Sequence, residues 1–240
     1  MSNIKRNINQ FKLRYDFSKR NYNIIIHSPN GTGKYDFTES LIQEYYHMKS
    51  IVVPGEVMSS PDIYYISLPL YDKSGNKVRM LTNEERLMYE FGFENKFENN
   101  RVGTEITIDQ VRDLKEFTFL SPYYEHKFVI INNYNYMNNQ ASAALLKTLE
   151  ETSCPAIFIL LTSDLGQIRD TIRSRCHCFT YEYDSLENSD QSFFDYFFSK
   201  KIKIKDLTKD QDYLEGYEKV NDEIAGLISN KINPLSLSET

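Results

Sequence analysis

The segment from residue 126 to 151 constrains the fold of this 240-residue chain most strongly. Residues 128–131 form a short apolar, β-branched run, which is typical of a strand buried on both faces of a parallel sheet. Small and apolar residues between 141 and 149 then recur at spacings of three and four, which predicts a helix. Asn138 or Asn139 stands where the helix needs an N-cap. The segment therefore predicts one strand and one helix of an α/β fold.

Two amides, Asn132 and Asn133, follow this strand where it should leave the sheet. In nucleotide-hydrolysing P-loop proteins, acidic side chains in this region hold Mg²⁺ and activate water. The Asn132 amide is neutral and is a poor ligand for a hard dication, and Asn133 is unable to polarise a water molecule. The sequence predicts a degenerate Walker B strand and no metal site.

A degenerate phosphate-binding loop is predicted at residues 28–35, between an apolar strand at 22–27 and a helical pattern from 37 to 45. Its residues are Ser28, Asn30, Gly31, Thr32, Gly33, Lys34 and Tyr35. Two glycines and the lysine fit the role, because backbone N–H groups and an ammonium group can cradle phosphates. Ser28 replaces the first glycine of the pattern, and Tyr35 replaces the hydroxyl residue that binds Mg²⁺. We expect no cofactor, although binding of ATP or ADP stays an open alternative.

Further elements follow the same apolar patterns. Residues 63–68 and 157–161 are predicted strands, and 106–119 is a predicted helix. The polar stretch at 69–105 is predicted to be an insertion with a helix near 83–91. Thr162, at the end of its strand, either senses a bound phosphate or simply caps the strand.

Two further segments, residues 1–20 and 166–180, carry basic residues, and the second also carries two cysteines. The basic stretch at 1–20 is either a phosphate-contacting arm or, as we favour, an amphipathic helix with its apolar side packed inward. Residues 166–175 predict a short helix that runs into a strand at 176–180. Cys176, His177 and Cys178 alternate faces along that strand, so we interpret the cysteines as half-buried and not as metal ligands.

Composition excludes several classes of protein. The net charge of −6 argues against nonspecific duplex binding through the field of the whole chain. Three cysteines suit a reducing compartment. No apolar run approaches the roughly 18 residues that a membrane span needs. We expect a cytoplasmic protein that does not contact membranes.

The order and spacing of several blocks resemble the AAA+ clamp-loader proteins, most closely the delta-prime subunits of bacterial DNA polymerase III. The blocks are SPNGTGK, SPDIYYISL, ITIDQVRDLKEF, KFVIINNYNYMNNQASAALLKTLEE, FILLTSD and IRSRC. The resemblance implies that Arg175, in the motif Ser174-Arg175-Cys176, is supplied in trans to ATP held by a neighbouring motor subunit. The alternative for Arg175 is an ordinary surface salt bridge.

The resemblance also implies an organisation and partners. It implies an AAA+ domain at 1–182, with a parallel sheet flanked by helices, and a small helical lid-like domain at 183–240. A collar domain and a four-cysteine zinc module are expected to be absent, because the chain ends at 240 and residues 47–62 contain no cysteine. The implied partners are motor subunits and a delta-type subunit, with the sliding clamp and primer–template DNA reached through the complex.

The function implied is that of a clamp-loader subunit in the DNA polymerase III holoenzyme without intrinsic ATPase activity. Two alternatives of other classes stay open. One is an active AAA+ ATPase, such as a motor subunit or helicase loader, with atypical Walker motifs. The other is a pure interaction scaffold in which Arg175 has no catalytic role.

Overall fold

The computed structural model describes residues 3–15, 22–30, 32–90, 97 and 100–182. The predicted lid-like domain at 183–240 lies outside the described residues. Along the described chain the helices and strands are α1 (Asn3–Arg14), β1 (Tyr22–His27), α2 (Lys34–Met48), β2 (Ile63–Ile66), β3 (Pro69–Tyr71), β4 (Lys77–Met80), α3 (Asn83–Glu90), β5 (Arg101–Val102), α4 (Ile108–Phe119), β6 (Lys127–Ile131), α5 (Asn139–Glu150), β7 (Ala156–Thr162), α6 (Asp170–Arg173) and β8 (His177–Thr180). Short 3₁₀ helices span Val57–Ser59, Tyr134–Tyr136 and Leu165–Gln167.

Five parallel strands form the central sheet in the order β2-β6-β7-β1-β8. Every residue of β6 and β7 is buried, as expected for strands covered on both faces. The β1 strand pairs with β7 from Tyr22↔Ile157 to His27↔Thr162 and with β8 from Ile24↔His177 to His27↔Thr180. The predicted α/β fold, with a parallel sheet flanked by helices, is confirmed.

Alternate residues of the strands enter two different cores, one on each face of the sheet. In β1, Ile24 and Ile26 face the core formed with α1 and α2, whereas Ile25 faces the core formed with α4 and α5. All three side chains are 0% exposed. Burial of an isoleucine side chain contributes roughly 1.5–3 kcal/mol, so the apolar strands supply much of the stability of the sheet.

The α1 helix packs on the sheet, as the amphipathic interpretation of residues 1–20 predicted for its described part. Phe11 is fully buried and its ring lies edge-on to Phe37 and Phe179. Asn7 donates to the Glu182 carbonyl oxygen at 2.6 Å and accepts from the Glu182 N–H at 2.9 Å. These contacts hold α1 to the chain that follows β8.

The segment at 69–105 has its own small antiparallel sheet, in the order β4-β3-β5, and the helix α3. The predicted helix near 83–91 is confirmed as Asn83–Glu90, but the sequence analysis did not predict the three short strands. Leu68, Leu70, Leu81 and Phe97 form a separate core beneath this sheet. The segment therefore lies folded against the domain over its described residues.

The last strand differs from the prediction in two details. It begins at His177 and not at Cys176, because the backbone at 174–176 still forms turns closed by α6 carbonyl oxygens. Cys176 is half-buried as expected, but Cys178 is exposed, so the prediction of two half-buried cysteines was wrong for Cys178. In the part of the chain that the structure describes, no helix is long and apolar enough to cross a membrane.

Candidate functional site

The phosphate-binding-type loop lies where β1 ends and α2 begins, as predicted. Gly33 is the N-cap residue of α2 and has φ of +87°, a left-handed conformation that glycine adopts without steric cost. Ser28 is buried and its N–H donates to the Thr162 carbonyl oxygen at 3.2 Å, which joins the start of the loop to β7. Asn30 is exposed, and Gly31 lies outside the described residues.

The polar side chains of the loop bond to the loop itself. The Lys34 ammonium donates to the carbonyl oxygens of Ser28 and Pro29, both at 2.6 Å. The Thr32 hydroxyl lies 2.8 Å from the Ser28 hydroxyl and 2.8 Å from the Pro29 carbonyl oxygen. The cation that would bind the β- and γ-phosphates in a working P-loop is thus engaged by backbone oxygens.

Tyr35 occupies the position where a P-loop needs a small hydroxyl residue. Its ring packs edge-on against Tyr65, with the ring centres 5.8 Å apart. Burial raises the pKa of the Tyr35 phenol far above its usual range, and the neighbouring Tyr65 and Glu39 raise it further. The phenol therefore stays protonated and neutral, which makes it a poor ligand for a divalent cation.

The two amides after β6 have separate surroundings. Asn132 is 2% exposed, and its amide nitrogen donates to the Tyr65 hydroxyl at 2.8 Å and to Asn83 Oδ1 at 3.1 Å. Asn133 has φ of 74°, and its side-chain oxygen accepts from the Asn135 N–H at 3.3 Å, which caps the following 3₁₀ helix. Neither side chain supplies a negative charge, and no group of three or more His, Cys, Asp or Glu residues suited to a metal occurs among the described residues.

The α3 helix lies over the loop and leaves little space above it. The remaining cavity has a volume of about 20 Å³. Its lining residues are Gly33, Lys34, Tyr35, Asp36, Asn83, Arg86, Leu87 and Asn132. A cavity of this volume holds about one water molecule, which is far less than a nucleotide needs. In this conformation the end of the 28–35 loop, Asn132 and α3 line the same small cavity.

Sequence analysis did not predict the part that α3 takes in this site. Asn83, Arg86 and Leu87 are three and four residues apart, so they lie on one face of the helix. That spacing was the available signal. The partner of this face was not readable from the sequence, because Asn83 and Asn132 are 49 positions apart.

Thr162 is fully buried where β7 ends, and its hydroxyl is saturated by neighbouring groups. The hydroxyl donates to Asn135 Oδ1 at 2.7 Å and lies 2.9 Å from the Asp164 carbonyl oxygen. It also accepts from the Asp164 N–H at 3.1 Å. These contacts fit the strand-cap interpretation of Thr162. Asn135, which joins the loops after β6 and β7, was not identified from the sequence.

Arg175 lies at the amino-terminal end of the parallel strands, whereas the phosphate-binding-type loop lies at their carboxyl-terminal end. It precedes the first residue of β8, whereas the loop follows the last residue of β1, and the two strands are parallel neighbours. The Arg175 carbonyl oxygen accepts from Asn23 Nδ2 at 3.1 Å, which places it beside the beginning of β1. Four strand residues span about 13 Å at roughly 3.3 Å each. The arginine is therefore remote from the cleft of its own chain.

The Ser174-Arg175-Cys176 motif has a partly exposed arginine and a half-buried cysteine. The Arg175 side chain is 41% exposed, and its Nε lies 2.6 Å from Glu150 Oε1. Its Nη1 donates to the Thr171 carbonyl oxygen at 2.8 Å. Burial, and to a smaller extent Cys178, raises the pKa of the Cys176 thiol to about 12. Cys176 is thus a protonated packing residue, and the functional candidate in the motif is Arg175.

Curated DNA polymerase III subunits are similar to parts of this chain. The delta' subunit of DNA polymerase III from Pseudomonas aeruginosa is 38% identical over 72 residues, which is 30% of this chain and 22% of that protein. The DNA polymerase III subunit gamma/tau of Mycoplasma genitalium is 32% identical over 99 residues, which is 41% of this chain and 17% of that protein. The chain spans between 14% and 41% of the length of the curated relatives that it matches.

Among solved structures, a DNA polymerase III gamma-subunit-related protein of Thermotoga maritima is similar, with a TM-score of 0.48 and 20% identity. That likeness covers 79% of this chain and 48% of the other. The model of the family described as DNA polymerase III, delta subunit, matches residues 5–184. The chain belongs to this family of DNA polymerase III clamp-loader proteins.

Proposed function

We propose that this chain is a non-hydrolysing clamp-loader subunit that supplies Arg175 in trans to ATP bound by a neighbouring motor subunit. The position of Arg175 carries the proposal: its side chain is 41% exposed and stands at the end of the sheet opposite to its own P-loop. An arginine there is available to another subunit and remote from any phosphate held in cis. Guanidinium groups stabilise the charge that develops on a transferring phosphoryl group.

The surroundings of the degenerate nucleotide site support the absence of hydrolysis in cis. Asn132 and Asn133 supply no negative charge to a magnesium ion, and Tyr35 supplies no small hydroxyl. Lys34 is bonded to carbonyl oxygens of its own loop, and α3 leaves a cavity of only about 20 Å³. Binding of Mg²⁺-ATP would require α3 to move away and Lys34 to exchange its partners.

The proposed partners follow from the family and from the names of the relatives. A gamma/tau-type subunit is the motor partner, and a delta-type subunit completes the complex. The complex then acts on the sliding clamp at primer–template junctions in the cytoplasm. The net charge of −6 fits a subunit that reaches DNA through its partners and not through its own overall field.

Reconstitution with a gamma/tau-type subunit from the same source tests the proposal. DNA-stimulated ATP hydrolysis should depend on Arg175, so Arg175→Ala should lower turnover at the shared interface by at least about 10-fold, since such fingers contribute about 10³–10⁵ in kcat. Arg173→Ala is the matched control, because Arg173 is another exposed arginine two positions away, at the end of α6. Its complex should keep wild-type turnover.

Two results would contradict the proposal in different ways. Unchanged turnover after Arg175→Ala, with the complex still assembled, would favour the interaction scaffold. ATP hydrolysis by the purified chain that Lys34→Ala abolishes would favour an active ATPase with atypical motifs. The proposal expects no hydrolysis by the chain alone.

A further inference from the structure

The guanidinium group of Arg175 has hydrogen-bond partners within the described part of the chain at two of its three nitrogens. Its Nε lies 2.6 Å from Glu150 Oε1, and its Nη1 donates to the Thr171 carbonyl oxygen at 2.8 Å and to the Ser174 hydroxyl at 3.3 Å. Nη2 has no hydrogen-bond partner among the described residues. The side chain is therefore held in place through Nε and Nη1, and Nη2 is the nitrogen that these contacts do not use.

Glu150 occupies a position where a carboxylate needs a compensating cation. It is the last residue of α5, and Glu151 follows it directly. The C-terminal end of a helix carries partial negative charge, so two carboxylates there are electrostatically unfavourable. Arg175 neutralises part of this charge, and its Nε–H gains a carboxylate as a hydrogen-bond acceptor.

We infer that Glu150 is a positioning residue for the arginine that this chain supplies to its neighbour, an inference that rests on the proposed function. Arginine has a long side chain with many rotamers, and a catalytic contact is most effective when the group is ordered before the reaction. The Glu150 carboxylate orders the guanidinium through Nε. The Nη2 end stays available to phosphate oxygens without loss of the ion pair.

A different role for the same ion pair makes an opposite prediction. If Glu150 competed with the phosphate for the guanidinium, removal of the carboxylate would release the arginine and raise turnover. If Glu150 positions the arginine, removal of its charge would disorder the side chain and lower turnover. The direction of the change separates the two roles.

The experiment compares Glu150→Gln with Glu151→Gln in the complex reconstituted with a gamma/tau-type subunit. Both substitutions remove one negative charge from the same helix end, but the carboxylate that contacts Arg175 is that of Glu150. Glu150→Gln should lower kcat for DNA-stimulated ATP hydrolysis by about 3- to 10-fold, because a neutral amide holds the guanidinium less firmly than a carboxylate and the difference is of the order of one hydrogen bond. The KM for ATP and the assembly of the complex should stay unchanged, and Glu151→Gln should retain the wild-type kcat.

The same substitution in an Arg175→Ala background completes the test. Glu150→Gln should cause no further loss there, because it acts through the arginine. A loss that persists in that background would show a general structural role and overturn the inference, as would a rise in kcat or equal effects of the two Gln variants. If Arg175→Ala itself has no effect, the proposed function fails and the inference fails with it. If Arg175→Ala lowers turnover and Glu150→Gln does not, only the inference fails.

Discussion

Asn132→Asp restores a carboxylate near the position where working P-loop ATPases carry one, and we expect it to destabilise this protein. The wild-type amide donates two hydrogen bonds, to the Tyr65 hydroxyl at 2.8 Å and to Asn83 Oδ1 at 3.1 Å. A carboxylate has no proton to donate, so its oxygen would face the Asn83 oxygen across about the same distance. The Tyr65 hydroxyl is able to reverse its role and donate, but the contact with α3 would become repulsive.

The expected loss in the free energy of unfolding is about 2–3 kcal/mol at neutral pH. One net hydrogen bond contributes about 0.5–1.5 kcal/mol, and a buried acceptor left without a donor costs about 1–3 kcal/mol. The site is 2% exposed at Asn132, so water gives little compensation. Arg86, which lines the same cavity, offsets part of the charge and keeps the loss below that of an isolated buried ion.

The loss in the free energy of unfolding of Asn132→Asp should depend on pH, because burial changes the pKa of the new carboxyl group. Desolvation would raise the pKa of the new carboxyl above the value of about 3.9 for an exposed aspartate. The folded state then binds the proton more tightly than the unfolded state does. The penalty is therefore small below about pH 4, where the carboxyl is protonated and donates again, and it grows as the pH rises through the folded-state pKa.

Asn133→Asp is the matched control for this prediction. Asn133 accepts a hydrogen bond from the Asn135 N–H, a role that a carboxylate also performs, and its φ of 74° suits aspartate nearly as well as asparagine. Urea unfolding at pH 7 and near pH 4 should show a smaller loss for this variant than for Asn132→Asp. Wild-type stability of Asn132→Asp at pH 7, or equal losses in the two variants, would refute the docking of α3 on Asn132.

Two further predictions concern buried groups away from the site. Asp62 is 1% exposed, and its carboxylate accepts hydrogen bonds from two backbone N–H groups, each at 2.7 Å. Asp62→Ala should therefore lower the free energy of unfolding, measured by urea titration, by about 2–4 kcal/mol. A loss under about 0.5 kcal/mol would contradict these contacts. Burial raises the pKa of Tyr46 to about 12, above the usual tyrosine value of 10.0. The stability that the buried phenol contributes is therefore present below about pH 10 and is lost as the pH rises toward 12. Ultraviolet titration of wild type against Tyr46→Phe checks this assignment, and a Tyr46 transition near pH 10 in the folded protein would contradict it.

The central sheet was predictable because its strands are buried on both faces and therefore carry continuous apolar runs. The predicted strand at 22–27 matches Tyr22–His27, and the prediction at 157–161 lies within Ala156–Thr162. Asn138 was one of two expected caps for α5, and its side chain accepts from the Ala141 N–H at 2.9 Å. Local signals of this kind depend on residues close together in sequence, so the sequence alone reveals them.

The closure of the nucleotide site was not predictable from the same signals. Asn132 bonds to Tyr65, 67 positions away, and to Asn83, 49 positions away. The short strands of the 69–105 segment are only two to four residues long, so they carry no clear alternation. The substitutions in the Walker motifs were readable, but the helix that covers them was not.

The neutral amide at position 132 and the packing of α3 on it are physically linked. Carboxylates that hold a metal need either the metal or water around them, because a buried unpaired charge is costly. Neutral amides need only hydrogen-bond partners, which Asn132 finds in Tyr65 and in Asn83 of α3. The surroundings of Asn132 can then be dehydrated and covered by α3 at little electrostatic cost. A carboxylate at position 132 would repel the Asn83 oxygen and so weaken the packing of α3. The stability of the protein, and not only its ATP hydrolysis, is therefore the measurement that tests how this cleft is closed.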